Sequence, residues 1–262
     1  MADLLIQMCS WQSPEILETC IESLKKSISV HSTLVVTLND AEEKSIKYLM
    51  AQKIPFIALP FNSGTLGVDF SLPFALKHKY ILNTNDDMLF HKGWDLDLIN
   101  IINTNHPCTA SCGLVEKIDT NNPVVRVDDL GEFTDPETYD KFIKNVENSK
   151  YIRDKKMISY THPIMMTVQD YLDIGGYSDN LDFNWIPGFG LDDYTPYRLW
   201  KKYNEKFKFI TSNKSVVYHG MSITNKKLPK TKHNDAWNYF KYKTNMWIPE
   251  FKQRINCFSE ID

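Results

Sequence analysis

Along the first hundred residues, short apolar runs alternate with amphipathic stretches. Residues 4–8, LLIQM, have the length of a buried strand and run into the polar turn Ser10-Trp11-Gln12-Ser13-Pro14. Ile16, Cys20, Leu24 and Ile28 then recur at helical spacing, with Lys25 and Lys26 on the far face. Ser13 is the expected N-cap, and Pro14 suits the first helical position because it needs no N–H there. A second strand is expected over residues 34–37 and ends in Asn39-Asp40. A helix over 42–52, a strand over 55–59, a turn over 62–67, a short helix over 68–78 and a strand over 80–83 follow. This β-α-β-α-β-α-β order predicts a mainly parallel sheet with helices on both faces. In such sheets ligands sit outside the C-terminal strand ends, which places Ser10, Asn39, Asn62, Asp86 and Asp87 along one edge.

The second half is less regular. Helices are expected over 94–103, 136–148, 168–174, 193–203 and 235–242. Strands are expected within 107–114 and over 159–166, 207–210 and 216–219, with a basic loop over 221–233. No internal repeat and no Gly- or Ser-rich linker divides the chain, so residues 1–262 are expected to form one domain.

Bulk composition narrows the class. With 262 residues, 42% hydrophobic and 13% aromatic, the chain is globular. No window approaches the ~18 apolar residues of a membrane span, and the first residues lack a basic, apolar leader pattern. Five cysteines at irregular spacing (Cys9, Cys20, Cys108, Cys112, Cys257) are expected to be free thiols in a reducing, cytoplasmic compartment. Cys108 and Cys112 have the look of half a metal site, but no matching pair follows. The net charge of −3 conceals a split: from Arg198 to Arg254 there are 14 basic and 3 acidic residues, and elsewhere 16 basic and 30 acidic. The C-terminal segment is therefore either a solvated lysine-rich surface or a surface for something anionic.

The expected fourth strand runs from Tyr80-Ile81-Leu82 into Asn83-Thr84-Asn85-Asp86-Asp87 and then into Met88-Leu89-Phe90. Two adjacent carboxylates at the end of a buried strand are unfavourable, because like charges and burial both penalise ionisation. A divalent cation removes that penalty, and Mg²⁺ or Mn²⁺ prefers one or two carboxylates together with phosphate oxygens. A turn or helix cap is the bland alternative. His219 ends the apolar run Val216-Val217-Tyr218 and is a candidate further ligand. Asp192 and Asp193 precede a predicted helix; one of them, Asp193, fits a cap, and the other is free to act as a general base.

Taken in order, these stretches resemble the GT-A nucleotide-sugar glycosyltransferases, particularly the family-2-like, metal-dependent ones. CSWQSPEILETCIESL is similar to that family's opening strand–turn–helix, LVVTLND to its second strand, and PFNSGTLGVDFSLPFAL to its glycine turn and helix. ILNTNDDMLFHKGW is similar to its DXD segment, IGGYSDNL…GFGLDDYTPYRLW to its acceptor-side segment, and VVYHG to its late strand ending in a metal-binding His. The resemblance implies a Rossmann-like α/β fold with residues 1–105 as a nucleotide-sugar-binding half. Residues 106–220 would form the acceptor half, and 221–262 a basic loop and helix. It implies Mn²⁺ or Mg²⁺ at Asp87 and His219, with Asp86 holding metal or ribose. Ser10, Trp11, Thr37, Asn39, Asn62 and Asn85 would line the nucleotide pocket, and Lys226 and Lys227 would meet the diphosphate. Asp192, with Asp193 beside it, would supply the catalytic base. The implied reaction is inverting transfer of a sugar from a nucleotide-diphosphate donor to a hydroxyl of a glycan, a lipid-linked sugar or a small acceptor.

Two departures from the family pattern stand out. Asn85 occupies the place of the first Asp of DXD, and Asp69-Phe70 stand where a basic residue and an Asn are frequent. The lysines interleaved with Trp237, Tyr239, Phe240, Tyr242 and Trp247 admit another acceptor, a hydroxymethylated DNA base, as in phage-type DNA-modifying glycosyltransferases acting in a host cytoplasm. A non-catalytic sugar- or nucleotide-binding module is the competing class. A nucleotidyltransferase is disfavoured because CSWQSPE has neither Gly nor Lys to cradle a phosphate.

Overall fold

β1 (Leu4–Trp11) owes its burial to parallel partners on both sides, β2 (Ser32–Asn39) and β4 (Tyr80–Asn85). The computed structural model describes residues 3–159, 162–177, 191–220, 241–242, 244–246, 248–255 and 259–262. Beyond β2 lies β3 (Phe56–Ala58), also parallel. Alternate residues of β1 enter two different cores. Leu4, Ile6 and Met8 meet Leu17, Cys20, Ile21 and Leu24 of helix α1 (Pro14–Ser27), whereas Leu5 packs with Val35, Ile81, Val68 and Tyr171. A strand covered on both faces must be apolar at nearly every position, which is why the first run lacks period-two alternation.

Ser13 occupies the N-cap position of α1, but its hydroxyl donates to the Trp11 carbonyl at 3.1 Å instead of capping the helix. Helix α2 (Glu43–Ala51) follows as expected. The expected helix over 68–78 is corrected. Gly64–Ser71 is a 3-10 helix, and only Leu72–Ala75 (α3) is α-helical. Side chains of the sheet take carbonyls of this segment: Thr37 Oγ1 donates to Gly67 O at 2.8 Å and Gln7 Nε2 to Val68 O at 3.0 Å. Pro73 supplies no N–H to continue a regular ladder.

After β4 the chain turns through Asp86-Asp87 into a short strand missing from the sequence expectations, β5 (Met88–Phe90). Then come α4 (Trp94–Asn105), β6 (Cys108–Glu116), β7 (Val125–Val127), α5 (Pro136–Glu147), β8 (Lys156–Ile158), β9 (Ile164–Thr167), α6 (Val168–Asp173) and α7 (Leu191–Tyr203). The last described elements are β10 (Lys208–His219), α8 (Ile248–Arg254) and β11 (Ser259–Ile261). The sheet order is β11-β8-β10-β6-β9-β4-β1-β2-β3, with β5 on β10 and β7 on β6. The first four strands are parallel; β9 enters antiparallel between β4 and β6, and β6 and β10 are parallel to each other. The two strands expected over 207–210 and 216–219 are one. β10 advances from Thr211 to Val216 while β6 advances only from Ser111 to Gly113, a bulge that absorbs the polar residues between the apolar runs. The four described cysteines, Cys9, Cys20, Cys108 and Cys112, are free.

The second half is tied to the sheet through the buried Asp170. Its Oδ1 accepts from Lys202 Nζ at 3.2 Å and from the Tyr203 hydroxyl, and its Oδ2 accepts from Thr167 Oγ1 at 2.8 Å and meets His106 Nε2 at 3.0 Å. Burial alone would raise its pKa, but these donors outweigh it and hold the carboxyl below the ordinary aspartate range. A depressed folded-state pKa stabilises the fold above the unfolded value and loses that contribution as pH falls through the folded value. Asp170→Ala is expected to cost about 3 kcal/mol, as for one partner removed from a buried ion pair. It should also flatten the acid limb of the stability profile, read by urea unfolding between neutral and acid pH; an acid limb as steep as wild type would refute the role.

Candidate active site

Two carboxylates, Asp87 and Glu116, meet one imidazole where β4, β6 and β10 end. Asp86 and Asp87 occupy the tight turn between β4 and β5, and β5 runs antiparallel to the end of β10, so that His219 pairs with Met88. The Gly220 N–H donates to the Asp87 carbonyl at 2.8 Å and fixes the turn against the strand end. Asp87 Oδ2 lies 3.6 Å from His219 Nε2. On the other side of the ring, Nδ1 is 2.7 Å from Glu116 Oε1, at the C-terminal end of β6. Asp87 and Glu116 are 3% and 4% exposed, so two acids flank the imidazole in a nearly dry site, and Asp86, 4% exposed, precedes Asp87 in the turn. Asp87 Oδ1 has no hydrogen-bond partner among the described residues. Burial alone would lower the pKa of His219, but the charge of Asp87 and the bond and charge of Glu116 outweigh it and hold the imidazole above its ordinary value.

The bulge in β10 brings His219 to this position. Asp97, in the first turn of α4, accepts from Ser215 Oγ at 2.8 Å and also from Ser212 Oγ, and His91 Nε2 accepts the Val216 N–H at 3.3 Å. Burial holds the His91 pKa below its ordinary value, which suits a neutral ring whose Nε2 accepts while Nδ1 donates to the Lys92 carbonyl. The segment that carries Asp87 therefore also grips the bulge that sets the register of His219.

The remaining sequence-predicted residues divide by location. Ser10 and Trp11 are the last two residues of β1, and Ser10 Oγ, Trp11 Nε1 and Thr65 Oγ1 are buried without partners among the described residues. Thr37 and Asn39 hold the neighbouring glycine turn. Thr37 bonds Gly67 O, while Asn39 donates to Gly64 O at 2.9 Å and accepts from the Ser63 N–H at 3.0 Å. Asn62 Oδ1 accepts the Gly64 N–H at 2.7 Å. Gly67 fits between Cys9, Ser63 and Thr37 only without a side chain, since a Cβ would come within 3.0 Å of all three. Asn85 ends β4, and its carbonyl accepts from Thr84 Oγ1 at 3.2 Å. Asp192 and Asp193 belong to the first turn of α7, but their side chains lie outside the described residues, as do Lys226 and Lys227. Asp69 faces α6 and the turn that follows it. It accepts from the Tyr171 hydroxyl at 2.6 Å and the Tyr177 N–H at 2.7 Å, and the Tyr177 carbonyl accepts from Thr195 Oγ1 of α7 at 2.9 Å.

Sequence reasoning missed Glu116. Its signal was the one that exposed Asp86 and Asp87, an apolar run, Cys112-Gly113-Leu114-Val115, stopping on a carboxylate.

Comparison with solved structures gives the fold a wider setting. A crystal structure of GalNAc-T7 with UDP, GalNAc and Mn²⁺ matches 99% of this chain with a TM-score of 0.58 at 11% identity, and the chain spans 55% of that protein. S. aureus TarS 1-349 matches 92% of the chain with a TM-score of 0.55 at 10% identity, over 72% of its own length. The fold is that of GT-A-like glycosyltransferases, a mixed α/β architecture around one multi-stranded sheet. No family model matches the sequence, and a search of curated proteins finds no significant sequence relative. Neither similar structure favours DNA as acceptor or a non-catalytic module. Among the described residues no helix is long and apolar enough to cross a membrane.

Asp97→Ala is expected to leave two buried serine hydroxyls without their acceptor, at a cost of about 2 kcal/mol. Amide exchange in residues 216–220 should accelerate more than in β1; uniform exchange across the sheet would show that the bulge is not held by this clamp.

Proposed function

We propose that the protein is a metal-dependent glycosyltransferase that moves a sugar from a nucleoside-diphosphate donor to an acceptor hydroxyl. The observation that carries this is the meeting of Asp87 and His219 at the C-terminal strand ends of a GT-A-like fold. The GalNAc-T7 structure, which contains UDP, GalNAc and Mn²⁺, supports the donor class and the ion.

The donor set fits Mn²⁺ or Mg²⁺. Asp87 Oδ2 and His219 Nε2, 3.6 Å apart, are the groups that would hold it, a carboxylate and an imidazole that both suit such an ion. Among the described residues no three His, Cys, Asp or Glu side chains group closely enough to hold an ion, so the proposed ion would take Asp87 and His219 from the protein and its other ligands from the diphosphate and water. When bound, the ion neutralises the negative charge of the departing diphosphate. Asp87 and His219 hold it, and Asp86 adds charge beside them or holds the ribose. Ser10, Trp11 and Asn85 line the nucleotide side, whose wall Thr37, Asn39 and Asn62 shape through the glycine turn. Lys226 and Lys227 meet the diphosphate from the basic segment. Asp192 receives the proton of the acceptor hydroxyl as its oxygen attacks the anomeric carbon, and Asp193, in the first turn of α7 rather than at its cap, offsets the helix dipole. Attack by the acceptor itself, with no protein nucleophile, inverts the anomeric centre.

The test is a thermal-shift series with UDP, GDP, CDP and ADP, each with and without Mn²⁺. One diphosphate is expected to raise the melting temperature, and Mn²⁺ to enlarge that shift, because a ligand of the folded state stabilises it. Asp87→Asn should abolish the Mn²⁺-dependent part; equal shifts with and without Mn²⁺ in the wild type would remove the metal from the proposal. Asp192→Asn is expected to keep the donor shift and lower turnover of the matching nucleotide sugar by about 10²–10⁴-fold. Undiminished turnover would reassign the base.

A further inference from the structure

We propose that Glu116 is a positioning residue that fixes the ring of His219 so that Nε2 is presented to Asp87. This rests on the metal assignment above and adds a residue to it. The geometry separates the two ring nitrogens. Nδ1 is within hydrogen-bond distance of Glu116 Oε1 at 2.7 Å, whereas Nε2, 3.6 Å from Asp87 Oδ2, is beyond it. A carboxylate can only accept, so the proton of that bond sits on Nδ1, and Nε2 is the nitrogen left to face Asp87. Carboxylates placed behind an imidazole in this way set its tautomer and plane and raise its strength as a ligand.

The placement of Glu116 is rigid. It ends a strand whose nine residues are all buried, and it is paired with Val127 of β7. Its carbonyl accepts the Asp128 N–H at 2.8 Å, and its second carboxylate oxygen meets Thr120 Oγ1 at 3.4 Å. On the other edge of β6, Val115 pairs with Tyr218, so one further step along both parallel strands sets Glu116 beside His219. A carboxylate this buried needs a hydrogen-bond donor, and the ring supplies it.

Mn²⁺ is titrated into wild-type protein, Glu116→Ala, Glu116→Gln and His219→Ala, with free Mn²⁺ read from its EPR signal and apo melting temperatures recorded alongside. Glu116→Ala is expected to bind Mn²⁺ about 10–100-fold more weakly. Glu116→Gln, whose amide oxygen still accepts from Nδ1, should stay within a few-fold of wild type. A purely structural role would lower the melting temperature of apo Glu116→Ala and leave its Mn²⁺ affinity unchanged, and that result overturns the proposal. Equal weakening in Glu116→Gln and Glu116→Ala also overturns it, because the acceptor would then not be what matters. If His219→Ala loses Mn²⁺ affinity while Glu116→Ala does not, only the role of Glu116 falls. If wild type binds no Mn²⁺, the metal assignment falls and this proposal with it.

Discussion

Negative charge buried at the C-terminal edge of the sheet is the constraint on which the rest of the structure turns. Asp86, Asp87 and Glu116 are almost fully removed from water, and one imidazole stands between two of them. Such a group of acids is stable only if positive charge reaches it. The His219 ring stands against both Asp87 and Glu116. In the proposed function, a divalent ion would bring positive charge to this edge.

Much of the surrounding architecture serves to hold these acids in register. β5 is too short to matter as a strand, yet its pairing with β10 brings His219 within reach of Asp87. The bulge in β10 is gripped by Asp97 and His91, which lie downstream of Asp87 on the same stretch of chain. A single continuous segment, Asp86 to Asp97, therefore contributes both the acids and the clamp that positions their partner. Asp69 and Asp170 do comparable work elsewhere: Asp69 joins the 3-10 segment to the turn at Tyr177, and Asp170 gathers α6, α7 and His106. Carboxylates with chemical and structural roles are hard to tell apart by residue type. They differ here in how fully protein donors satisfy them, since Asp170 has at least four donors whereas Asp87 Oδ1 has no partner among the described residues.

The elements of the first half were legible because each apolar run is local and its length and flanking turns carry the signal. Residues 4–8, 34–37 and 80–83 all fall inside observed strands, and the helix beginning at Pro14 was readable from its spacing and its proline. Reading failed where a distant partner decided. The glycine turn became a 3-10 helix because Thr37 and Gln7 draw its carbonyls toward the sheet. The polar interruption in β10 looked like a loop between two strands because the serines that break the pattern are bonded to Asp97, more than a hundred residues away.

That carboxylates and a histidine stop apolar runs, and hence lie at strand ends, is written in short stretches of the chain, because each run and its polar stop are adjacent in sequence. Which of those ends are neighbours was decided only by the tertiary structure. Sheet order, the antiparallel insertion of β9 and the register shift within β10 are non-local. A residue cannot carry in its own neighbourhood the information that Glu116 will stand behind His219 and Asp87 before it.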